Sequence, residues 1–244
     1  MISIVTVSHG HLEDVRHLTR SLVEHMSLPF ELVVVDNLNE EYDWEGALVE
    51  LGIDTVHVIR NNRPRSFSHN NNKGAAEANF PNLVFLNPDI QLIDTSLCEW
   101  LKGGHLSDGL FFPCLLNPDG SPQAHSKAKP RLFNQLINTF LRLFGIFRDS
   151  PDGTYWYFGA ALIVNEDFFC RLGKFDTNFP LFAEDAELCD RARKRGFPVE
   201  RIDSVQLIHQ LGGQSKGKYL LKAIISNVYL RFKMLKNTID SILT

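Results

Sequence analysis

The chain has 244 residues, enough for one large α/β domain or two small ones, and 44% of them are hydrophobic. Its 25 basic and 29 acidic residues give a net charge of −4, which excludes a global electrostatic footprint for nucleic acid. The four cysteines lack the close Cys/His spacing of zinc sites and are expected to be reduced. With no signal-peptide pattern and no run near the roughly 20 apolar residues of a spanning helix, the sequence predicts a cytoplasmic protein.

The first half of the chain alternates β-branched runs with helical patterns. This alternation is typical of a mostly parallel sheet whose strands are connected by helices, and right-handed crossovers make it doubly wound. The predicted strands are Ile2–Val7, Glu31–Val35, Thr55–Ile59 and Leu83–Leu86. The predicted helices are Leu12–Met26, Trp44–Leu51 and Asn71–Ala78.

The second half has a different pattern. A turn signal, Asn117-Pro118-Asp119-Gly120, lies between extended segments and predicts a hairpin. We find no internal repeat or low-complexity linker, and therefore predict one catalytic domain over residues 1–213 and a helical C-terminal extension over residues 214–244. The remaining predicted elements are an apolar stretch over 131–147, a strand Tyr155–Val164, a helix Glu184–Arg195 and a helix from about Lys216 to Leu243.

Aspartates follow two of the predicted strands. Asp36 comes directly after Leu32–Val35, at the strand end where open α/β sheets bind ligands, although a loop or N-cap aspartate is the favoured interpretation of Asp36 alone. In Asn87-Pro88-Asp89 the proline ends a strand and leaves Asp89 at its tip. A carboxylate there is a natural ligand for Mg²⁺ or Mn²⁺.

A polar segment over residues 61–74 opens the third predicted helix. Its amides, hydroxyls and cations, with Lys73, Arg63 or Arg65, suit a diphosphate at a helix N-terminus. The alternative is a solvated loop with an asparagine cap.

Four carboxylates begin the helix predicted at Glu184. The helix dipole favours acidic residues in a first turn, so part of this cluster requires no functional explanation. Burial of Leu188 turns Glu184 or Asp185 toward the sheet edge, while Glu187 and Asp190 can pair with basic residues of the same helix. His209 ends a short extended run and is either a ligand for metal or phosphate or a structural histidine.

Taken in order, these segments resemble the inverting family-2 glycosyltransferases of GT-A fold, especially the bacterial rhamnosyltransferase-like branch. The resemblance covers about residues 1–215. It is carried by Phe85 to Ile90, Phe67 to Gly74, Gly159 to Val164, Leu172 to Asp176, Phe182 to Arg191, Gly196 and His209.

The resemblance implies a nucleoside diphosphate sugar donor, a divalent cation (Mg²⁺ or Mn²⁺), and a saccharide or lipid-linked saccharide acceptor. Asp89 is the implied metal ligand, with His209 as a further candidate, Asp185 is the implied base, and Glu184 orients the site or the sugar. The implied donor-binding residues are Thr6, Ser8, Asp36, Asn62, Phe67, Asn72, Lys73 and Asn87. Departures from the family pattern at Ser8-His9-Gly10, at Ser66 and after Asp36 concern the nucleotide contacts rather than the reaction class.

Two apolar segments with interspersed cations, residues 131–147 and the C-terminal helix, suggest contact with the inner face of a membrane. Packing against the catalytic domain, or in a homodimer, is at least as well supported by the sequence. The sequence lacks the Gly-rich loop of a nucleotidyltransferase and the Gly-x-Gly-x-x-Gly of a nicotinamide dehydrogenase. The main alternative function is an inactive nucleotide-sugar-binding subunit.

Overall fold

The computed structural model describes residues 1–124, 126–127, 155–210 and 220–243. The strands in these ranges are β1 Ile2–Ser8, β2 Phe30–Asp36, β3 Val56–Arg60, β4 Asn82–Leu86, β5 Ile90–Leu92, β6 Leu110–Leu116, β7 Ser126–Lys127, β8 Trp156–Tyr157, β9 Ala161–Asn165 and β10 Val199–His209. The helices are α1 Leu12–His25, α2 Trp44–Val49, α3 Phe67–Ala76, α4 Ser96–Lys102, α5 Glu166–Leu172, α6 Glu184–Lys194 and α7 Leu220–Leu243.

Eight strands form one mixed sheet in the order β3-β2-β1-β4-β9-β6-β10-β5. The half from β3 to β4 is parallel, as predicted. Beyond β4 the sheet is mixed, because β9 runs antiparallel to both its neighbours and β5 runs antiparallel to β10. Strand β6 is again parallel to β10, so four of the seven pairings in this sheet are parallel, in agreement with the predicted mostly parallel sheet.

The sheet separates two apolar layers. Alternate residues of a strand enter opposite layers, since side chains in a strand point to opposite faces. Ile4 packs on the side of α1 and α2, whereas Val5 faces the aromatic layer with Phe85 and Phe169. Because helices cover both faces of the sheet, the parallel strands are buried on both sides and consist almost entirely of hydrophobic residues.

Three local features differ from the prediction. The predicted strand Tyr155–Val164 is divided into β8 and β9, because the Gly159 N–H donates to the Asp185 carboxylate instead of a strand partner. Helix α3 begins earlier than predicted, at Phe67, because the Ser66 hydroxyl accepts the His69 N–H and caps the helix. Elements β5, α4 and α5 were not predicted.

The hairpin turn after β6 is confirmed. The Asn117 N–H donates to the Ser121 carbonyl at 2.8 Å, and Leu116 bridges Pro122. The predicted apolar stretch 131–147 and the division between residues 213 and 214 lie outside the described residues. No helix within the described ranges is long and apolar enough to cross a membrane.

Close packing of α3 on the parallel strands depends on Gly74. A Cβ at this position would lie 2.4 Å from a Val5 methyl and 3.2 Å from a Val35 methyl. Both valine side chains are buried at the centre of the sheet, so neither can move aside easily. The glycine therefore sets how closely α3 approaches the sheet.

Gly74→Ala is accordingly expected to lower the free energy of unfolding by about 1 to 3 kcal/mol, the usual cost of overpacking a core. Urea unfolding followed by circular dichroism measures it. Glu77→Ala, at an exposed position just after α3, is the matched control and should change stability by less than about 0.5 kcal/mol. Equal stability of Gly74→Ala and wild type would contradict the close contact.

Candidate active site

Two hydrogen bonds connect the acidic segment at Asn87–Asp89 with the one at Glu184–Asp185. The Asn87 N–H donates to the Ala160 carbonyl at 2.8 Å, and the Gly159 N–H donates to Asp185 Oδ2 at 3.0 Å. Residues 159 and 160 thus form a short bridge between the tip of β4, which carries Asp89, and the first turn of α6. The two segments are about 100 residues apart in sequence and are connected through this bridge.

The chain enters α6 in an unusual conformation. Phe182 and Ala183 have φ of 69° and 71°, the left-handed region that side chains with a Cβ rarely adopt. Such residues typically cost about 1 to 3 kcal/mol each and are concentrated at functional sites. This conformation immediately precedes Glu184 and Asp185, so the entry to the helix fixes where the two carboxylates point.

Glu184 and Asp185 differ in their surroundings. Glu184 is buried, and its Oε2 has no hydrogen-bond partner among the described residues. Burial, followed by the charge of Asp185, raises the pKa of Glu184. Burial also raises the pKa of Asp185, and the N–H groups of Gly159 and Ala186 oppose that shift.

Asp185 is the more accessible of the two carboxylates. Its oxygens are held by the N–H groups of Gly159 and Ala186 at 3.0 and 2.8 Å. These bonds stabilise the ionised form, and a raised pKa makes it a stronger base than an ordinary aspartate. Asp185 therefore has the chemistry of a general base, whereas Glu184 is buried beside it and ionises less readily.

Lys127 is a neighbour of this pair that the sequence did not indicate. Its charge favours ionisation of Asp185. Pairing of β7 with β8 brings Lys127 opposite Trp156, and its Nζ lies over the Trp156 and Phe158 rings at 5.4 and 5.3 Å. A two-residue strand has no periodicity in the sequence, so only the fold reveals this contact.

Asp89 and His209 are brought together by the sheet. Strand β10 pairs antiparallel with β5 so that His209 lies opposite Ile90, the residue after Asp89. His209 Nε2 lies 3.2 Å from Asp89 Oδ2, and the two side chains are 11% and 13% exposed. The Nδ1 atom of the same ring is 2.7 Å from Gln123 Oε1.

These two residues fit a divalent cation. Cis ligands on an octahedral ion with bonds of about 2.1 Å are about 3 Å apart, close to the separation of Asp89 Oδ2 and His209 Nε2. Within the described ranges, no group of three His, Cys, Asp or Glu side chains surrounds a metal position. A cation here therefore needs oxygen ligands from outside this pair, as Mg²⁺ and Mn²⁺ have when they bind phosphates.

Two predicted donor-binding residues have partners within the protein. Asn72 donates to the Phe175 carbonyl at 2.8 Å and accepts the Phe175 N–H at 3.1 Å, so its amide holds a distant loop. Asp36 is fully buried and accepts hydrogen bonds from the N–H groups of Leu38 and Glu40 and from the Trp44 ring. Both residues organise the site's surroundings, and Asp36 matches the loop-aspartate alternative.

The other predicted residues are distributed around the same strand ends. Phe67 packs edge-on against Phe175, and its ring lies 3.8 Å from a Cβ built on Gly159, which places it beside Asp185. Thr6 and Ser8 are buried on β1; the Thr6 hydroxyl has no partner among the described residues, and the Ser8 hydroxyl accepts the His11 N–H.

A buried amide network links the loops after β2 and β3. Asn61 donates to Asn37 at 3.0 Å and to Asn70 at 2.7 Å, and Lys73 donates to Asn61 at 3.0 Å. Asn62 is exposed beside this network. The structure therefore assigns most of the amides in the polar segment to loop positioning.

The chain is similar to several glycosyltransferases. The low-salt glycan biosynthesis hexosyltransferase Agl10 of Haloferax volcanii is 26% identical over 85% of this chain, and rhamnosyltransferase WbbL of Escherichia coli K12 is 24% identical over 86% of it. A mannosyltransferase of Pyrobaculum calidifontis, solved with GDP-mannose and Mn²⁺, superposes with a TM-score of 0.66 at 13% identity over 96% of the chain.

These relatives are named as hexosyl- and rhamnosyltransferases, in agreement with the predicted resemblance to the rhamnosyltransferase-like branch of the family-2 glycosyltransferases. The fold of the chain is GT-A, as predicted. No family model matches the chain. It spans 66% of the length of the Haloferax protein, 83% of the Escherichia protein and 64% of the solved mannosyltransferase chain.

The substitution Glu184→Gln is expected to make stability less dependent on pH. Because burial raises the pKa of Glu184 above 4.5, its contribution to stability is complete below that pH and is lost as the pH rises through the folded-state pKa. Glutamine cannot ionise, so the free energy of unfolding should fall less between about pH 5 and pH 8 in the variant, by about 1 kcal/mol or more.

Urea unfolding at the two pH values measures this difference. Glu41→Gln, at an exposed position, is the control and should follow the wild type. Parallel pH dependence of Glu184→Gln and wild type would show that the Glu184 carboxyl is not destabilised by burial.

Proposed function

We propose that this protein is an inverting glycosyltransferase that moves a sugar, rhamnose or another hexose, from a nucleoside diphosphate donor to a hydroxyl of a growing polysaccharide or lipid-linked oligosaccharide. The observation that carries the proposal is the bridge at residues 159–160, whose two hydrogen bonds connect the segment of Asp89 to the Asp185 carboxylate. A cation on the leaving diphosphate and a base for the acceptor hydroxyl both favour such a transfer. The rhamnosyltransferase and hexosyltransferase relatives support the sugar class.

Asp185 is the proposed base. It removes the proton from the acceptor hydroxyl, whose oxygen forms a bond to the anomeric carbon while the bond from that carbon to the diphosphate oxygen breaks on the opposite face. A single displacement of this kind inverts the anomeric centre. Burial and the charge of Asp185 raise the pKa of Glu184. Glu184 therefore tends to stay protonated, and Asp185 accepts the proton.

Asp89 and His209 are the proposed ligands of a divalent cation, Mg²⁺ or Mn²⁺, on the donor diphosphate. When bound, such an ion neutralises the charge that develops on the leaving diphosphate. Asn87 donates to the Ala160 carbonyl and the Phe67 ring lies beside Gly159, and the donor is proposed to bind next to these two residues. The Mn²⁺ in the mannosyltransferase structure supports this assignment.

Asp185→Asn should abolish transfer while preserving donor binding, because the amide retains the shape but cannot accept a proton. The loss in kcat is expected to be on the order of 10² to 10⁴. Titration calorimetry with a panel of nucleotide sugars and Mn²⁺ gives binding, and donor hydrolysis or transfer gives turnover. Asp167→Asn, in the exposed first turn of α5, is the matched control.

Full activity in Asp185→Asn would contradict the base assignment. Donor binding by the wild type with no turnover under any acceptor condition would favour the inactive binding subunit instead.

We further propose that the outward face of α7 contacts an anionic membrane. One side of the helix is anchored, since Ser226 donates to the Leu181 carbonyl and Lys233 pairs with Asp176 at 2.7 Å. The opposite side is apolar and at least half exposed, with Lys222 and Lys236 exposed nearby. Its residues are Leu221, Ile224, Ile225, Val228, Phe232 and Leu235. Apolar side chains with neighbouring lysines favour an anionic interface over a neutral one.

Sedimentation with vesicles containing anionic lipid should capture the wild type and lose the double variant Ile224→Gln/Phe232→Gln. The control Val23→Gln/Val49→Gln changes exposed valines on α1 and α2 and should still bind. If the wild type does not sediment with the vesicles but forms a concentration-dependent dimer through the same residues, α7 is a subunit interface instead.

A further inference from the structure

A chain of side-chain hydrogen bonds leads from the turn after β6 to the His209 ring. Ser121 donates from Oγ to Asp119 Oδ1 at 2.6 Å, and Asn117 Nδ2 donates to Ser121 Oγ at 2.9 Å. Gln123 Nε2 donates to Asn117 Oδ1 at 3.1 Å, and Gln123 Oε1 lies 2.7 Å from His209 Nδ1. The turn Asn117-Pro118-Asp119-Gly120, which the sequence predicts as part of a hairpin, is therefore connected by hydrogen bonds to the proposed metal site.

The direction of each bond is fixed by the first acceptor. An ionised carboxylate can only accept, so the Ser121 hydroxyl gives its single proton to Asp119. The Ser121 oxygen must then accept the Asn117 NH₂, which leaves Asn117 Oδ1 to accept from Gln123. Gln123 consequently presents its oxygen to His209. The Ser121 hydroxyl and N–H lower the pKa of Asp119, which keeps this acceptor ionised.

The ring of His209 responds to that oxygen. Because Gln123 Oε1 accepts a hydrogen bond, Nδ1 carries the proton, and in the neutral ring Nε2 has a lone pair. That lone pair faces Asp89 Oδ2 at 3.2 Å. Two acceptors at this distance are favourable only with a proton or a cation between them.

We infer that Gln123 is a positioning residue that holds His209 in the Nδ1–H tautomer, so that Nε2 is presented with Asp89 as a ligand pair for a divalent cation. Asn117 and Ser121 act through Gln123 by fixing the orientation of its amide. A metal-binding histidine commonly donates its other N–H to a carbonyl in this way. The inference deepens the proposed function and rests on it for the identity of the site.

The tautomer can be measured without substrate, in the presence of diamagnetic Mg²⁺. In ¹⁵N-histidine-labelled protein with MgCl₂, the Nδ1 resonance should be of the protonated type and Nε2 of the unprotonated type. The His209→Gln variant assigns the signals. Gln123→Ala should shift the ring toward the other tautomer, whereas Gln206→Ala, exposed on the same strand, should not. A wild-type ring protonated at Nε2 would overturn the inference.

Mn²⁺ affinity is the second readout, by electron paramagnetic resonance titration of the full chain with MnCl₂. Loss of a partner of this kind typically weakens metal binding by about 10- to 100-fold, so Gln123→Ala should weaken it at least about tenfold. Gln123→Glu retains an acceptor for Nδ1–H and should bind Mn²⁺ at least as tightly as wild type. Equal affinity of Gln123→Ala and wild type, or equal loss in both variants, would overturn the positioning role.

The two proposals fail differently. A wild type with the Nδ1–H tautomer and Mn²⁺ binding but no sugar transfer contradicts the proposed activity and leaves the role of Gln123 supported. A wild type that transfers sugar while Gln123→Ala keeps both tautomer and affinity contradicts the role of Gln123 alone.

Discussion

Two hydrogen bonds made by the backbone of residues 159 and 160 connect the two acidic segments. One comes from Asn87 at the tip of β4, and the other goes to Asp185 in the first turn of α6. Since β9 begins directly after them, the bridge is anchored in the centre of the sheet. A Cβ at Gly159 would make ordinary van der Waals contacts there, 3.4 Å from the Cβ of Asp185 and 3.8 Å from the Phe67 ring. The bridge fixes the distance between the two acidic segments without any side chain of its own.

The site combines conformational strain with charge burial. Phe182 and Ala183 hold left-handed conformations, and Glu184 is buried beside Asp185. Each feature is unfavourable alone, and neighbouring packing must offset it. The strong packing is nearby: α6 and α5 bury Phe168, Leu188 and Cys189 in the aromatic layer beneath the site. The packed aromatic layer therefore keeps the two carboxylates buried, which raises their proton affinity above that of an exposed aspartate. A raised proton affinity suits a general base.

The sequence predicted elements with strong periodicity and residues at strand ends. The strands of the parallel half and the turn at Asn117 could be predicted because their signals are local. The contacts of Asn72 and Lys127 could not be predicted, because their partners are distant in sequence: Phe175 binds the Asn72 amide, and β8 pairs with the strand that carries Lys127. The contact between Asp89 and His209 depends on the three-residue strand β5, too short to give a pattern. Long-range pairing, rather than weak propensity, limits what the chain alone reveals about the site.

The most direct test of a single site built across the 159–160 bridge is a crystal structure of the full chain with Mn²⁺ and the nucleotide sugar that binds best. The account predicts Mn²⁺ on Asp89 and His209, the diphosphate on the metal, and the anomeric carbon between the diphosphate and the Asp185 carboxylate. A donor bound away from the ends of β1 and β4, or an Asp185 carboxylate on the same side of the anomeric carbon as the diphosphate, would contradict it.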